Sequence, residues 1–221
     1  MDTTKYINPD SDGRFYGLNS MVKADCNDCE GCFQCCRGMG DSIVLDPYDM
    51  FQFRSGANLG LEQLMERGQI SLGIYDGLIL PHIQMSEEKD QCRFLNEKGR
   101  CSIHSYRPGI CRLFPLGRNY EAGKMDYILL THACEKKNRT KIKVEKWIGI
   151  ADASRYHQYL IKWHDFKKVM AEQLKEAEEE QKRQLNMYLL NTFFVTETVQ
   201  EAIFYQEFDA KIQRIKNAFG M

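Results

Sequence analysis

Long apolar runs are absent from this chain of 221 residues, and so are the common enzyme motifs. Residues 1–12 are polar and lack the apolar core of a secretory signal, and no run approaches the roughly 18 apolar residues of a membrane span. We therefore expect a cytoplasmic protein with no membrane span. The sequence has no G-x4-G-K-[ST] loop, no G-x-G-x2-G, no G-x-S-x-G and no H-E-x2-H, so it shows no signature of those nucleotide-binding or hydrolytic enzymes.

A surplus of charge of one sign is also absent. The chain has 30 Lys and Arg residues against 31 Asp and Glu residues, which gives a formal net charge of −1. A balance this close to neutral gives no general reason to expect nucleic acid or an anionic membrane surface as a partner.

Proline and cysteine are both missing from residues 140–221. Apolar residues recur in this part at steps of three and four positions, as an amphipathic helix requires. The stripes run through Val144, Trp147, Ile148, Tyr156, Tyr159, Leu160, Trp163, Leu185, Tyr188, Leu189, Val199, Ala202, Ile203, Ile212, Ile215 and Phe219. These patterns predict about three helices whose apolar faces form a core.

The part before residue 140 shows signals for caps and turns. Asp46 followed by Pro47 predicts a helix start, because the carboxylate can cap free N–H groups and proline fits the first helical turn. We expect that helix to stop near Gly56, and a second short helix over 59–67 to stop at Gly68. Hairpins are predicted around Asp76-Gly77 and around 121–123, and a tight turn at 97–99.

Together these signals predict a mainly α protein, α+β in class and dominated by helices, with an irregular, hairpin-containing cysteine-rich module. We divide the chain into a polar N-terminal arm over 1–25, the cysteine-rich metal-binding module over 26–140, and a helical region over 141–221 that packs on it.

Cysteine is the residue type with the most informative distribution. Nine occur, and they comprise an early group and a dispersed group: Cys26, Cys29, Cys32, Cys35 and Cys36, then Cys92, Cys101, Cys111 and Cys134. Disulfides, zinc or an iron–sulfur cluster could hold so many thiols together. A cytosolic protein keeps its thiols reduced, and nine in 221 residues is below the roughly 8–10% of small disulfide scaffolds. A metal site is therefore the favoured interpretation.

The early group can be divided in two ways. Cys26-x2-Cys29-x2-Cys32-x3-Cys36 has the spacing of a bacterial ferredoxin run, but Arg37 stands where proline normally follows and no second run exists. The alternative is Cys29-x2-Cys32-x2-Cys35-Cys36, which ends in two adjacent cysteines. Adjacent side chains diverge in most backbone conformations, so this pair favours two centres or a polynuclear cluster over one zinc ion.

Arginines accompany the cysteines. Arg37, Arg93, Arg100 and Arg112 are each adjacent to a cysteine, and Arg107 and Arg118 are close in sequence. Thiolates repel one another unless cations offset their charge, so we predict that Arg37, Arg107 and Arg112 contact a bound cofactor. For His104 we favour a hydrogen-bonded loop position over the role of an extra ligand or proton carrier. His132 is less favoured as a ligand than the cysteines, and Cys26 is a ligand only if the ferredoxin-like division applies.

The later cysteines lie in recognisable blocks. Cys92-Arg93-Phe94-Leu95 is followed by Gly99-Arg100-Cys101-Ser102-Ile103, and then by Arg107-Pro108-Gly109-Ile110-Cys111-Arg112-Leu113-Phe114-Pro115. With the C-x2-C-x2-C-C run, these blocks resemble a cysteine-cluster family described as zinc- or iron-chelating, over about residues 26–150. The resemblance implies eight metal ligands: Cys29, Cys32, Cys35, Cys36, Cys92, Cys101, Cys111 and Cys134.

Three functions follow as hypotheses. The first is an iron–sulfur protein, with a 4Fe-4S cluster and a redox or cluster-dependent transfer role, which makes it a possible oxidoreductase. The second is a structural zinc module that binds another protein. The third is a cluster-dependent protein methyltransferase. It is implied by the resemblance alone, since flagellin lysine N-methylases share the cysteine block. The expected partner is accordingly a protein substrate or a redox protein.

Overall fold

The computed structural model describes residues 8–27, 30, 32–136 and 138–219. The helices are α1 Pro47–Ala57, α2 Leu61–Glu66, α3 Gly109–Leu113, α4 Val144–Ile148, α5 Ala153–Glu176, α6 Glu179–Phe194 and α7 Glu201–Phe219. The strands are β1 Met21–Asp25, β2 Ile70–Tyr75, β3 Leu78–Ile83, β4 Leu116–Glu121, β5 Lys124–Leu129 and β6 Thr140–Lys143. Helix accounts for 44% and strand for 21%, which confirms the predicted helix-dominated α+β class. Among the helices described, none is long and apolar enough to cross a membrane.

Helix α1 begins where its capping residues place it. The Asp46 side chain accepts hydrogen bonds from the backbone N–H groups of Tyr48 and Asp49, and the Asp49 side chain accepts one from the Asp46 N–H at 2.9 Å. This reciprocal arrangement is a capping box, with Pro47 in the first turn. The helix ends at Ala57, one residue after the predicted stop, because Asn58 adopts a left-handed conformation with φ of 53°.

The six strands of the described residues form three separate antiparallel pairs. The predicted hairpins are confirmed as β2–β3 and β4–β5. In the first, Asp76 and Gly77 both have positive φ, 52° and 82°, as a two-residue turn of type I′ requires. The β1–β6 pair was not predicted, because no turn joins strands so distant in sequence; it pairs Asp25 with Thr140.

The chain forms two compact units, both assembled from separated segments. One contains the residues up to Cys35 together with Ile110–Lys162, and the other contains Cys36–Gly109 together with the residues from Trp163 onward. The division of the sequence into an arm, a cysteine-rich module and a helical region stays a prediction.

The first unit is built on β1–β6, β4–β5 and α4. Backbone bridges join Ser11 to Leu130 and Tyr16 to Tyr127, so the polar N-terminal segment pairs with β5 and its end. The indole Nε1 of Trp147 donates to the Leu113 carbonyl at 3.1 Å, and this bond anchors α4 to the end of α3.

The second unit has an aromatic core between helices. Trp163 lies 5.2 Å from Phe193 between ring centroids, and Phe193 also packs against Phe208. Tyr48 on α1 donates its hydroxyl to Glu201 on α7 at 2.6 Å.

The predicted stripe residues from Val144 to Trp163 are buried, as are Leu189 and Ile215, so the prediction is confirmed there. It is wrong for Tyr188 on α6 and for most of the last predicted helix, because Tyr188, Val199, Ala202, Ile203 and Phe219 are exposed. The buried face of α7 consists of Phe204, Tyr205, Phe208 and Ile215, whose aromatic rings pack against Tyr48 and Phe193.

Asn186 on α6 fixes the β2–β3 hairpin within this unit. Its Oδ1 accepts from the Ile79 N–H at 2.8 Å, and its Nδ2 donates to the Gly77 carbonyl at 3.0 Å. We expect Asn186→Ala to lower the free energy of unfolding by about 2 kcal/mol, because two backbone groups lose buried partners. Urea unfolding measures this, with exposed Met187→Ala on the same helix as the control; equal stability of the two variants would refute the role of Asn186.

His82 makes the second unit sensitive to acid. Burial lowers the pKa of His82 below its ordinary value of 6.5, with a smaller opposing effect from Asp41. Its Nε2 is hydrogen-bonded to the Ser71 hydroxyl at 2.9 Å, whereas the buried Nδ1 has no hydrogen-bond partner among the described residues. The unfolded chain therefore takes up the proton more readily than the folded one.

Because this folded-state pKa is depressed, the stabilisation by neutral His82 is complete above about pH 6.5 and is lost as the pH falls below that value. We expect His82→Gln, whose amide can keep the Ser71 bond, to reduce the loss of stability between about pH 7.5 and 5.5. Thermal unfolding across this range tests the effect: the unfolding temperature of the wild type should fall more steeply with decreasing pH than that of the variant. Parallel curves for the two proteins would show that His82 does not contribute.

Candidate metal centre

Eight of the nine cysteines lie in the described part of the chain, and each is half-buried. No disulfide joins any two of these eight. Cys29, which the sequence predicts as a ligand, lies outside the described residues. Buried or half-buried thiols that remain reduced are the donor groups that zinc and iron–sulfur clusters require.

A turn in the first unit shapes the start of the early group. Asn27 has a positive φ of 57°, its N–H is bonded by the Asp25 carboxylate at 3.0 Å, and its side-chain amide donates to Glu30 at 2.6 Å. Asparagine tolerates this left-handed conformation better than most residues. The left-handed Asn27 therefore follows directly on Cys26 and the end of β1.

Cys134 is associated with the same region. The Nζ atom of Lys136, two residues beyond Cys134, donates to the Glu30 carbonyl at 3.2 Å. Glu30 stands between Cys29 and Cys32 in sequence. This bond places Lys136 beside Glu30, and the convergence of the Cys134 thiol with the thiols of the early group stays a prediction.

In the second unit, Cys36 and Cys92 are neighbours despite their separation in sequence. The N–H of Cys92 donates to the carbonyl of Cys36 at 2.8 Å. The pairing continues with a backbone bridge between Arg37 and Gln91 and a bond from Gly38 N–H to the Asp90 carbonyl at 2.9 Å. Backbone pairing therefore fixes the position of the Cys36 main chain against that of Cys92.

Cys101 is held in the same small loop as Cys92. Leu95 donates its N–H to the Cys92 carbonyl at 2.9 Å and forms a backbone bridge with Cys101. The loop reverses at Gly99, which has a positive φ of 67°, so the tight turn predicted there is confirmed. The side chain of Phe94 is 2% exposed and stacks on Phe53, which anchors the loop to α1.

Cys111 belongs to the short helix α3, whose first residue is held by a buried carboxylate. Oδ1 of Asp49 accepts a hydrogen bond from the N–H of Gly109 at 2.7 Å, and Asp49 is only 2% exposed. Nothing in the sequence indicates that Asp49 positions α3. Its spacing of three residues after Asp46 is typical of a capping box, but that spacing does not reveal the contact with the distant Gly109.

The predicted cofactor-contacting arginines occupy different environments. Arg112 is 8% exposed, whereas Arg37 is exposed. The Nη1 atom of Arg107 lies 2.9 Å from both ring nitrogens of His104 and donates to the His104 carbonyl at 2.9 Å. Because a guanidinium can only donate, the His104 ring serves as an acceptor, and this supports a hydrogen-bonded loop position for His104. Contact of these arginines with a cofactor stays a prediction.

Arg139 is a further cation that the sequence analysis missed. Arg139 directly precedes Thr140, the first residue of β6. Thr140 pairs with Asp25, the last residue of β1, so Arg139 is close to the end of β1 that leads into Cys26. Its Nε and Nη1 atoms are buried and have no hydrogen-bond partner among the described residues. A buried guanidinium without an acceptor is costly, so an anionic group such as a thiolate-bound metal cluster fits beside it.

The side chains are not arranged around a common point. In the described part of the chain, no three Cys, His, Asp or Glu residues form a group that could hold a metal ion. The half-buried thiols nevertheless have the donor chemistry of a thiolate-bound metal site. The assignment of the eight cysteines as ligands stays a prediction.

A thiol-rich metal-chelating domain is the class that these features define. Residues 28–135 match the model of the CxxCxxCC family, which is described as "Putative zinc- or iron-chelating domain". The match covers just under half of the chain; it includes the eight predicted ligands and leaves out Cys26. No curated protein and no solved structure matches the chain. The predicted relation to flagellin lysine N-methylases gains no support from these comparisons.

Proposed function

We propose that this protein binds iron as an iron–sulfur cluster through the thiolates of its 28–135 segment and acts in electron transfer or a cluster-dependent transfer reaction. The observation on which this depends is the presence of half-buried, reduced thiols in a zinc- or iron-chelating family segment. The adjacent Cys35 and Cys36 support a polynuclear cluster, because two neighbouring thiolates are difficult to place on one small ion.

The residues around the thiols have separate tasks in this proposal. The thiolates bind the metal, and the main-chain bond between Cys92 and Cys36 supports a common role for these two residues. Arg112 and Arg139 offset part of the negative charge that the thiolates bring. When bound, an iron–sulfur cluster supplies one-electron chemistry or an exposed iron for a substrate. A redox protein or a protein substrate is the partner that this function requires.

A structural zinc module is the second candidate, since the family description names zinc equally with iron. Eight thiolates could supply two tetrahedral sites of four sulfurs, and zinc binding would then stabilise an irregular fold. The protein would act as an interaction module rather than as a redox protein.

Purification without oxygen, followed by iron, zinc and acid-labile sulfide analysis, separates the two candidates. The iron–sulfur proposal predicts iron and sulfide in similar amounts with a broad absorption band near about 400 nm that oxygen bleaches. Stoichiometric zinc in a colourless protein, after reconstitution with iron and sulfide has been attempted, would replace it with the zinc module.

A further inference from the structure

A cavity of about 620 Å³ lies within the second unit, on the side of α5 that faces the β2–β3 hairpin. Its volume is within the range of about 300–1,000 Å³ that is typical of small-molecule sites. The residues of its lining come from the hairpin, from α5 and from the start of α6. The cysteines of the proposed metal centre do not take part in it.

One face of α5 provides most of the cations of this cavity. His164, Lys168, Ala171 and Lys175 line it and recur at steps of three and four, which places them on the same side of a helix. Lys168 and Lys175 are two turns apart, which corresponds to about 10 Å along the helix axis. This spacing suits a ligand with two anionic groups, or one with a polyphosphate chain.

The opposite wall is apolar and fixed in position. Leu78 and Leu80 of β3 line this wall and are 5% and 4% exposed, and the buried Leu174 of α5 lines the cavity from the side of the helix. The two hydrogen bonds of Asn186 to Gly77 and Ile79 hold this hairpin in place. The cavity therefore combines a positively charged side with a preformed apolar side.

The charges that line the cavity do not balance. The cations are Lys167, Lys168, Lys175 and Lys182, and the carboxylates are Asp76 and Glu172. Glu172 is paired with Lys175 at 2.7 Å, and Lys182 pairs with Glu179, which does not line the cavity. The lysines outnumber the carboxylates in the lining by four to two. Glu172, Asp76 and Glu176 raise the pKa of Lys175, so the excess of positive charge, which favours an anionic ligand, lies toward Lys167 and Lys168.

The lowered pKa of His164 reflects the nearby lysines. Burial lowers the pKa of His164 most, and the neighbouring Lys167 and Lys168 lower it further, against a smaller opposing effect of Asp165. A bound anion would relieve the unfavourable interaction between this ring, when protonated, and the lysines.

We propose that this cavity binds a phosphate ester of roughly nucleotide size, with its phosphates between the α5 lysines and its organic part against the β3 leucines. A simple inorganic anion would leave the apolar wall without a contact, and an uncharged molecule would make no use of the lysines. The proposal is independent of the metal centre and of its proposed function.

Calorimetric titration of the full chain with ADP, adenosine and inorganic pyrophosphate tests the proposal. ADP should bind, and adenosine and pyrophosphate should each bind at least about tenfold more weakly, because each lacks one part of the recognised structure. The variant Lys168→Glu/Lys175→Glu should weaken ADP binding at least about tenfold. The control Lys124→Glu, at an exposed site on β5 outside the cavity, should leave it within about twofold.

Lys168→Met provides a second variant that keeps an apolar stem without the charge, and it should also weaken ADP binding. Thermal unfolding and metal content of each variant show whether it remains folded and loaded. Absence of ADP binding up to about 5 mM, or equal affinity of the wild type and the folded charge variants, would overturn the proposal. Equal affinity for ADP and pyrophosphate would overturn the organic part, and equal affinity for ADP and adenosine would overturn the phosphate part.

Discussion

Cys36→Ser and Cys111→Ser should each lose most of the bound metal, with an affinity at least about tenfold lower than that of the wild type. Serine keeps the size of the side chain but is a poor ligand for zinc or iron. The backbone bond from Cys92 to Cys36 does not involve the side chain, so the local fold at Cys36 can persist in the variant. Metal analysis after purification without oxygen measures the effect.

Cys26→Ser is the matched control, because Cys26 is a half-buried cysteine of the early group that lies outside the matched segment 28–135. It should retain the metal of the wild type. Full metal content in both the Cys36 and Cys111 variants would contradict the ligand assignment. Loss of metal from the Cys26 variant would instead support the ferredoxin-like spacing of Cys26, Cys29, Cys32 and Cys36.

Asp49→Ala should lower the free energy of unfolding by about 3 kcal/mol. The carboxylate of Asp49 is buried and accepts hydrogen bonds from the N–H groups of Asp46 and Gly109, so alanine leaves two donors without acceptors. One contact belongs to the cap of α1 and the other to the first residue of α3, the helix that contains Cys111. Urea-induced unfolding with the metal state held constant measures the loss.

Asp49→Asn separates the two contacts. The amide of asparagine retains one oxygen acceptor, so this variant should lose only part of the stability that alanine removes. A free energy of unfolding for Asp49→Ala within about 0.5 kcal/mol of the wild type would show that neither bond stabilises the fold.

Local signals predicted the local structure. The cap at Asp46, the left-handed turn at Asp76 and Gly77 and the reversal at Gly99 all depend on backbone preferences of a few adjacent residues, and each is found where the sequence placed it. The helical stripe from Val144 to Trp163 was predicted correctly for the same reason, since the 3.6-residue period records which face is buried. In α7 the prediction selected mostly the wrong face, because Phe204, Tyr205 and Phe208 are the residues that are buried.

Long-range pairings could not be predicted in this way. Nothing local to β1 indicates that β6 is its partner, and nothing near Asp49 indicates that its carboxylate binds Gly109. Arg139 was missed because it is not adjacent to a cysteine in sequence; only the β1–β6 pairing shows that it is close to the end of β1 that leads into Cys26. For the site, cysteine spacing identified the donor atoms, whereas their spatial grouping depends on the fold.

X-ray absorption spectroscopy at the metal edge of the protein purified without oxygen tests the central claim most directly. Thiolate ligation by the 28–135 segment predicts a first coordination shell of sulfur at about 2.3 Å, whether the metal is zinc or iron. A shell of oxygen and nitrogen only, or a folded protein that contains neither metal, would contradict it.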